Sequence, residues 1–169
     1  MVVQSVRIQW PCRYDYFFTP ASVVCPAAEA IYPTAAEQPF EHGRMIWLKE
    51  TRVGEFVDEN VIFVLYENGQ LEKYQDKWMP NEPDSDPTFV PPEGLYQPIR
   101  GFGKLWRENK SVRERLGWAR TPEQGFEGAW QPAAVESLGG TTYIRALDGE
   151  IIVLTGLGAG GSFRWSPLP

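Results

Sequence analysis

The order of short structural signals in residues 35–78 recurs in residues 121–165, and this internal repetition constrains the fold more than any other feature of the chain. Each unit holds an E-Q-x-F-E segment, an apolar run, an Asn-Gly or Asp-Gly pair, a second apolar run and a tryptophan. Such a pair between apolar runs favours a tight hairpin turn, because both central residues need φ > 0. The signals lie at 37–41, 61–66, 68–69, 71–74 and Trp78 in the first unit, and at 123–127, 142–147, 148–149, 150–155 and Trp165 in the second.

The repeat predicts a mainly β fold of the α+β class, in which two related hairpin units pack together. A single hairpin is marginally stable in water, whereas two that pack against each other share a core. We therefore predict one domain over residues 35–169. Within the first unit, residues 37–43 are expected to form a turn before a short strand at 44–48, and residues 51–60 a charged loop.

The segment 94–119 joins the two units and is predicted to bridge them with short helices. Ser111 and Glu114 fit the S-x-x-E capping box, and Gly117 is a common helix stop. Apolar residues before the cap recur at helical spacing. They are Phe102, Leu105 and Trp106.

The same segment is basic within an acidic chain. One interpretation is a solvated helix face that pairs with Glu108 and Glu114. The alternative is a site for an anion or an acidic partner. The basic residues are Arg107, Lys110, Arg113 and Arg115.

Residues 1–34 are predicted to form an N-terminal arm, with a strand at 2–10 and then a loop closed by a disulfide between Cys12 and Cys25. These are the two cysteines of the chain, and a disulfide implies an oxidising compartment. The opening residues lack the apolar stretch and cleavage site of a signal peptide, so we expect a mature form of an exported protein. The predicted location is extracellular or in the cell envelope.

The charge balance excludes several partners. The formal net charge is −6, which argues against nucleic acid and against an anionic membrane surface, since both attract basic proteins. No run approaches the 18 or so apolar residues of a membrane-spanning helix. We therefore predict neither nucleic-acid binding nor membrane insertion.

Known catalytic and cofactor motifs are missing or incomplete, so neither a metal nor a cofactor is expected. His42 is the single histidine, which leaves no multi-histidine metal site. The G-x-G-x-x-G match at 156–161 precedes an apolar-aromatic segment rather than a helix signal, so it predicts a loop. The acidic loop at 79–93 could hold calcium, but prolines interrupt its spacing and favour a solvated connector.

Paired carboxylates suggest glycoside hydrolysis, which needs two of them. Glu37 with Glu41, and Glu123 with Glu127, are the obvious pairs. Because the two pairs occupy equivalent positions of the repeat, a structural role is the favoured interpretation.

Tryptophans give the strongest binding signal. An indole that stays exposed on a β-sheet face can stack on a sugar ring, but each tryptophan could equally pack in the core or between the units. Trp106 and Trp118 share this ambiguity. The binding candidates are Trp78, Trp130, Trp47 and Trp165.

Three motifs carry a family resemblance: Q-x-F-E-x-G-x-M-I-W at 38–47, G-F-G-x-x-W-R at 101–107 and R-L-G-W-A at 115–119. As a set they resemble an uncharacterised domain of secreted or surface-anchored bacterial proteins, over residues 25–165. The first motif and the Leu-Gly-Trp of the third are also similar to LGFP repeats, which hold proteins to the cell envelope. The resemblance implies an extracellular, non-catalytic role and assigns no binding residue.

These observations favour an extracellular, non-catalytic binding or adhesion module, with an envelope polysaccharide or another surface protein as its partner. The first alternative is a structural protein that self-associates into a homo-oligomer, surface layer or filament, using the N-terminal arm as an added strand. The second is a carboxylate-based glycoside hydrolase. Exposed aromatics in a groove would favour the first hypothesis, and two buried carboxyls facing one cleft would favour the hydrolase.

Overall fold

The computed structural model describes residues 11–19, 21–22, 24–133, 140–156 and 162–168, which form nine β-strands and two short α-helices. This confirms the predicted mainly β fold of the α+β class. The strand predicted at 2–10 lies outside the described residues, as does most of the glycine-rich loop. The strands are β1 Thr34–Phe40, β2 Gly43–Val53, β3 Phe56–Tyr66, β4 Leu71–Gln75, β5 Gln124–Glu127, β6 Trp130–Pro132, β7 Thr141–Arg145, β8 Ile151–Thr155 and β9 Arg164–Pro167. The helices are α1 Arg100–Glu108 and α2 Lys110–Leu116.

The described strands make two antiparallel sheets that enclose a core. The first sheet has the order β4-β3-β2-β1-β5, and the second has the order β6-β7-β8-β9. Ile46, Leu48 and Phe63 of the first sheet pack with Ile144 and Ile152 of the second. Burial of these side chains, at roughly 1.5–3 kcal/mol each, holds the sheets together.

The helices cover the other face of the first sheet. Because successive side chains of a strand point to opposite faces, Met45 and Ile62 face away from the second sheet and meet Phe102, Trp106 and Leu116 of the helices. The molecule therefore has three layers, with the first sheet buried between the second sheet and the helices.

Both predicted hairpin turns are present. Gly69 and Gly149 have the predicted positive φ, of 79° and 88°. Asn68 and Asp148 do not have positive φ, so the prediction of φ > 0 at both central residues was wrong. Each turn is closed by backbone hydrogen bonds, for example between Tyr66 and Gln70 at 2.9 Å. The second apolar runs return as β4 and β8.

Two expectations for the first unit were wrong. Residues 37–40 belong to β1, which is paired on both sides, by β2 and by β5, and Glu37 and Gln38 are buried there. Residues 51–60 are mostly strand, because β2 and β3 extend as a projecting ribbon around the Gly54 turn. That ribbon is solvated on both faces beyond Thr51, so its charged composition resembled a loop.

The repeated E-Q-x-F-E segments belong to neighbouring strands, but they are opposite each other at Glu37 and Gln124 alone among the paired residues. β1 and β5 pair antiparallel, with Glu37 opposite Gln124 and Ala35 opposite Phe126. The rest of the second unit forms its own sheet, so one strand of that unit completes the sheet of the first. The relation between the two units stays a prediction.

The helices of the central segment occur as predicted, but the cap of α2 differs. Asn109, not Ser111, is the N-cap residue, and its Oδ1 accepts a hydrogen bond from the amide of Val112 at 3.2 Å. Ser111 is therefore the second helical residue and cannot cap. The predicted stop is confirmed, since Gly117 follows α2 with φ of 74°. Neither helix of the described chain is long and apolar enough to cross a membrane.

Residues 16–18 of the N-terminal arm pack on the outer face of the second sheet. The disulfide between Cys12 and Cys25 is present, which confirms the predicted pairing. Phe18 packs on Tyr143 with ring centroids 4.9 Å apart. The fully buried Gln131 of β6 fixes the loop, because its amide donates to the carbonyl of Asp15 at 2.8 Å.

Candidate functional site

Two of the four candidate tryptophans meet in one cavity. Trp47 and Trp78 line a space of about 320 Å³ beside the start of α1. We call this cavity the tryptophan pocket. The lining residues on which the argument depends are Trp47, Asp76, Trp78, Arg100, Gly101 and Glu123. The sequence predicted the two indoles as binding residues but not that they would lie together.

The other two candidates have structural surroundings. Trp130 is 2% exposed and stacks on Phe63 with ring centroids 5.8 Å apart. Trp165 packs against the same inter-sheet core and donates its indole N–H to the carbonyl of Tyr66 at 2.7 Å. Both side chains therefore hold the two sheets together instead of facing the pocket.

Four separate parts of the chain build the tryptophan pocket. Trp47 comes from β2, on the face that carries the helices, and Asp76 and Trp78 follow directly after β4. The first turn of α1 supplies one wall. Glu123 immediately precedes β5. The lining also includes the small residues Ala36 and Gly125. The cavity exists because the paired strands β1 and β5 have small side chains here.

The indole N–H groups distinguish the pocket tryptophans from the structural ones. Those of Trp106 and Trp130 donate to the carbonyls of Gly117 and Arg52 at 2.8 and 2.7 Å. Those of Trp47 and Trp78 have no hydrogen-bond acceptor within the described residues and are shielded from solvent. A shielded donor without an acceptor costs about 1–3 kcal/mol. A side-chain movement that lets the N–H group donate to an acceptor on a ligand would recover that free energy.

Asp76 is held against the first turn of α1. Its Oδ1 accepts a hydrogen bond from the amide of Trp78 at 2.9 Å. A Cβ at Gly101 would lie 2.5 Å from Asp76 Oδ2, so only glycine allows this approach. Burial raises the pKa of the Asp76 carboxyl, opposed by the Trp78 amide and the positive charge of Lys104.

Glu123 is the second carboxyl of the tryptophan pocket. Burial raises its pKa; the charge of Arg100 opposes the shift, and the negative charges of Asp76 and Asp84 add to it. Arg100 has φ of 50° at the start of α1, a left-handed conformation that is rare for a residue with a side chain and often occurs at functional sites.

The raised pKa of Asp76 means that its carboxylate in the pocket lowers the free energy of unfolding at neutral pH, and substitution of Asp76 tests this. Below about pH 3 the carboxyl is protonated in both folded and unfolded chains; above its folded pKa the buried charge destabilises the fold. We expect Asp76→Asn to raise the free energy of unfolding at pH 7 by about 0.5–2 kcal/mol and to have no effect near pH 3. Urea unfolding at both pH values measures this. A loss of stability at pH 7 would contradict it.

The carboxylate pairs predicted for hydrolysis are divided between structural contacts and the pocket. Glu37 accepts from Arg44 at 3.2 Å and from the Leu147 amide at 2.8 Å, which ties the two sheets together. Glu41 accepts from the Trp118 amide at 2.8 Å. Glu127 contacts Arg145 at the surface. Only Glu123 enters the pocket, where Asp76 is its neighbour.

The basic residues of the central segment largely support the fold. Arg113 donates to the carbonyls of Trp106 and Arg107 at 3.1 and 2.7 Å. Arg115 pairs with Glu72 at 2.5 Å and lies over the ring of Tyr66. The solvated-face interpretation describes the exposed Lys110, which pairs with Glu114.

The remaining chemistry of the described residues is sparse. His42 lies at the surface 3.3 Å from Glu67. In the acidic loop, Asp86 Oδ1 accepts hydrogen bonds from the amide and the hydroxyl of Thr88. Glu82 pairs with Lys104. Among the described residues, no group of three or more histidine, cysteine or acidic side chains could hold a metal ion.

Sequence reasoning missed Asp76 and Arg100 as site residues. Asp76 lies two residues before Trp78, and Arg100 directly precedes the Gly101-Phe102-Gly103 motif. A glycine in the first turn of a helix is an unfavourable choice for helix formation, and this was the available signal that another group approaches the backbone there.

Comparison with known proteins gives no relative: no family model, no curated protein and no solved structure matches the chain. A functional argument therefore depends on the geometry of the tryptophan pocket.

Proposed function

We propose that this protein is an extracellular, non-catalytic binding module whose tryptophan pocket takes a sugar unit of an envelope polysaccharide. The observation that carries the proposal is the convergence of Trp47 and Trp78 with Asp76, Glu123 and Arg100 around one cavity. A volume of about 320 Å³ is at the small end of ligand pockets, which suits one sugar ring.

The chemistry of the pocket supports a sugar. A pyranose ring has an apolar face that packs on an indole, and hydroxyl groups that both donate and accept hydrogen bonds. Asp76 and Glu123 supply acceptors, and Arg100 supplies donors. The disulfide between Cys12 and Cys25 supports the extracellular location, because such bonds persist in oxidising compartments.

Trp78→Ala is expected to weaken polysaccharide binding by about 5- to 150-fold, since aromatic stacking is worth about 1–3 kcal/mol per ring. Affinity electrophoresis against a panel of bacterial and plant polysaccharides would identify the glycan class, and calorimetry would then give the dissociation constants.

The matched control is Phe56→Ala, which removes an aromatic side chain that is 82% exposed at the tip of the β2–β3 ribbon. We expect its affinity to equal that of the wild type. Failure of every glycan to bind, or equal loss in both variants, would overturn the proposal.

Self-association in a surface layer or filament is the second candidate, favoured by the same ribbon tip. Val53, Phe56 and Val57 are exposed there, and clustered apolar side chains at a solvated tip are typical of contact surfaces. Light scattering on the same samples tests it: Phe56→Ala would lower the association of the wild type, while Trp78→Ala would not.

A glycoside hydrolase is favoured by Asp76 and Glu123, a different pair from those predicted, because their pKa values are both raised in one pocket. The same glycan panel tests it through release of reducing ends. Binding without product supports the non-catalytic module, whereas product that disappears in Glu123→Gln supports the hydrolase.

A further inference from the structure

The tryptophan pocket carries more negative than positive charge. Asp76 and Glu123 line it, and Asp84 is near enough to act electrostatically on Glu123. Arg100 is the one cationic side chain in the lining. Its Nε lies 3.6 Å from Asp84 Oδ2, so its charge is largely matched by a carboxylate at the rim.

No ion pair within 4 Å reaches Asp76 or Glu123 from any residue in the described ranges. Lys104 acts electrostatically on Asp76, but it pairs directly with Glu82 and lies 3.9 Å from Glu108. The amide of Trp78 is the one hydrogen-bond donor that the described chain gives to the Asp76 carboxylate, and Glu123 receives none. Partly buried carboxylates normally have a cation as a partner.

We infer that the tryptophan pocket takes a sugar bearing a free, protonated amino group. The inference rests on the proposed function and adds the chemical class of the ligand. An ammonium group donates three hydrogen bonds and brings the positive charge that Asp76 and Glu123 lack. It is also attracted to the faces of Trp47 and Trp78. Acetylation of the amine would remove the charge and add bulk.

A sugar fits better than a simple amine because the pocket offers donors as well as acceptors. The two indole N–H groups have no acceptor within the described residues, and ring hydroxyls provide acceptors whereas an alkyl ammonium does not. An acidic sugar fits less well, since its carboxylate would meet Asp76 and Glu123 while Arg100 is engaged by Asp84.

Calorimetry with four tetrameric probes tests the inference: oligomers of glucosamine, N-acetylglucosamine and glucose, and tetralysine. The wild type is expected to bind the glucosamine oligomer at least about tenfold more tightly than the other sugars, with affinity that falls as salt increases. Asp76→Asn and Glu123→Gln should each remove most of this preference without weakening the glucose oligomer. Glu55→Gln, which removes an exposed charge on the ribbon, is the matched control and should change nothing.

The outcomes separate the inference from the proposed function. Equal affinity for the three sugars would overturn the inference and leave the sugar-binding module standing. Tetralysine binding as tightly as the glucosamine oligomer would show a cation site without sugar recognition, and would overturn it too. Failure of every saccharide, in this set and in the polysaccharide panel, would overturn both. Urea unfolding of Asp76→Asn and Glu123→Gln checks that a loss of preference is not a loss of the folded state.

Discussion

Trp130→Ala is expected to lower the free energy of unfolding by about 3–5 kcal/mol, the usual cost of deleting a large aromatic side chain from a core. Trp130 is 2% exposed, lies between the two sheets and stacks on Phe63. Its indole N–H also donates to the carbonyl of Arg52 at 2.7 Å. The substitution removes the packing and leaves that carbonyl without its donor. Urea denaturation followed by circular dichroism measures the loss.

Trp130→Phe separates packing from hydrogen bonding. Phenylalanine keeps much of the aromatic volume but has no N–H group, so its cost should be intermediate, and clearly below that of Trp130→Ala. A loss of less than about 1 kcal/mol for the alanine variant, well under the usual range for a core aromatic, would contradict the core position. Trp78→Ala, at the partly buried pocket, is the comparison in which binding should fall more than stability.

Gly43→Ala is expected to cost about 3–5 kcal/mol, because it combines backbone strain with overlap of atoms. Gly43 is the first residue of β2 and has φ of 149°, which side chains rarely tolerate. A Cβ there would overlap the carbonyl oxygen of Leu65 in β3 and lie 3.0 Å from the Leu116 side chain. The strand cannot move away, since Gly43 is paired with Tyr66.

Gly54→Ala is the matched control for Gly43→Ala. Gly54 also has positive φ, at 60°, but a Cβ there would meet no atom within 4 Å. Its substitution should cost only the left-handed backbone penalty, about 1–2 kcal/mol. Thermal unfolding of both variants compares them directly. Equal losses would show that close contact with β3 contributes nothing.

The turns and the disulfide were predictable because their signals are local. A glycine needs no distant partner to adopt positive φ, and both hairpins formed, although Asn68 and Asp148 do not have positive φ. With two cysteines in the chain, one intramolecular pairing was possible. The cap of α2 is also local, but Asn109 and Ser111 are both capping residues two positions apart. Asn109, the residue that caps, also donates its Nδ2–H to the hydroxyl of the distant Tyr74 at 3.2 Å.

The glycines of the motifs show how much of a site a sequence pattern can predict. Gly101 and Gly117 mark places where a carboxylate presses on the backbone, from Asp76 in one case and Glu41 in the other. The motifs contain these glycines, but the approaching groups come from positions 25 and 76 residues earlier in the chain. No local rule gives such a partner.

The sequence by itself determined the fold class, the two short helices, the places of the hairpin turns, the disulfide and the net negative charge, because each follows from neighbouring residues or from composition. Only the tertiary structure decided which tryptophans line the pocket and which support the core. Trp47 and Trp130 are equally apolar, and their positions differ only in which face of which sheet they occupy. That choice depends on the stacking of two sheets and two helices, which is set by long-range packing. The same packing brought Asp76 and Glu123 into one pocket.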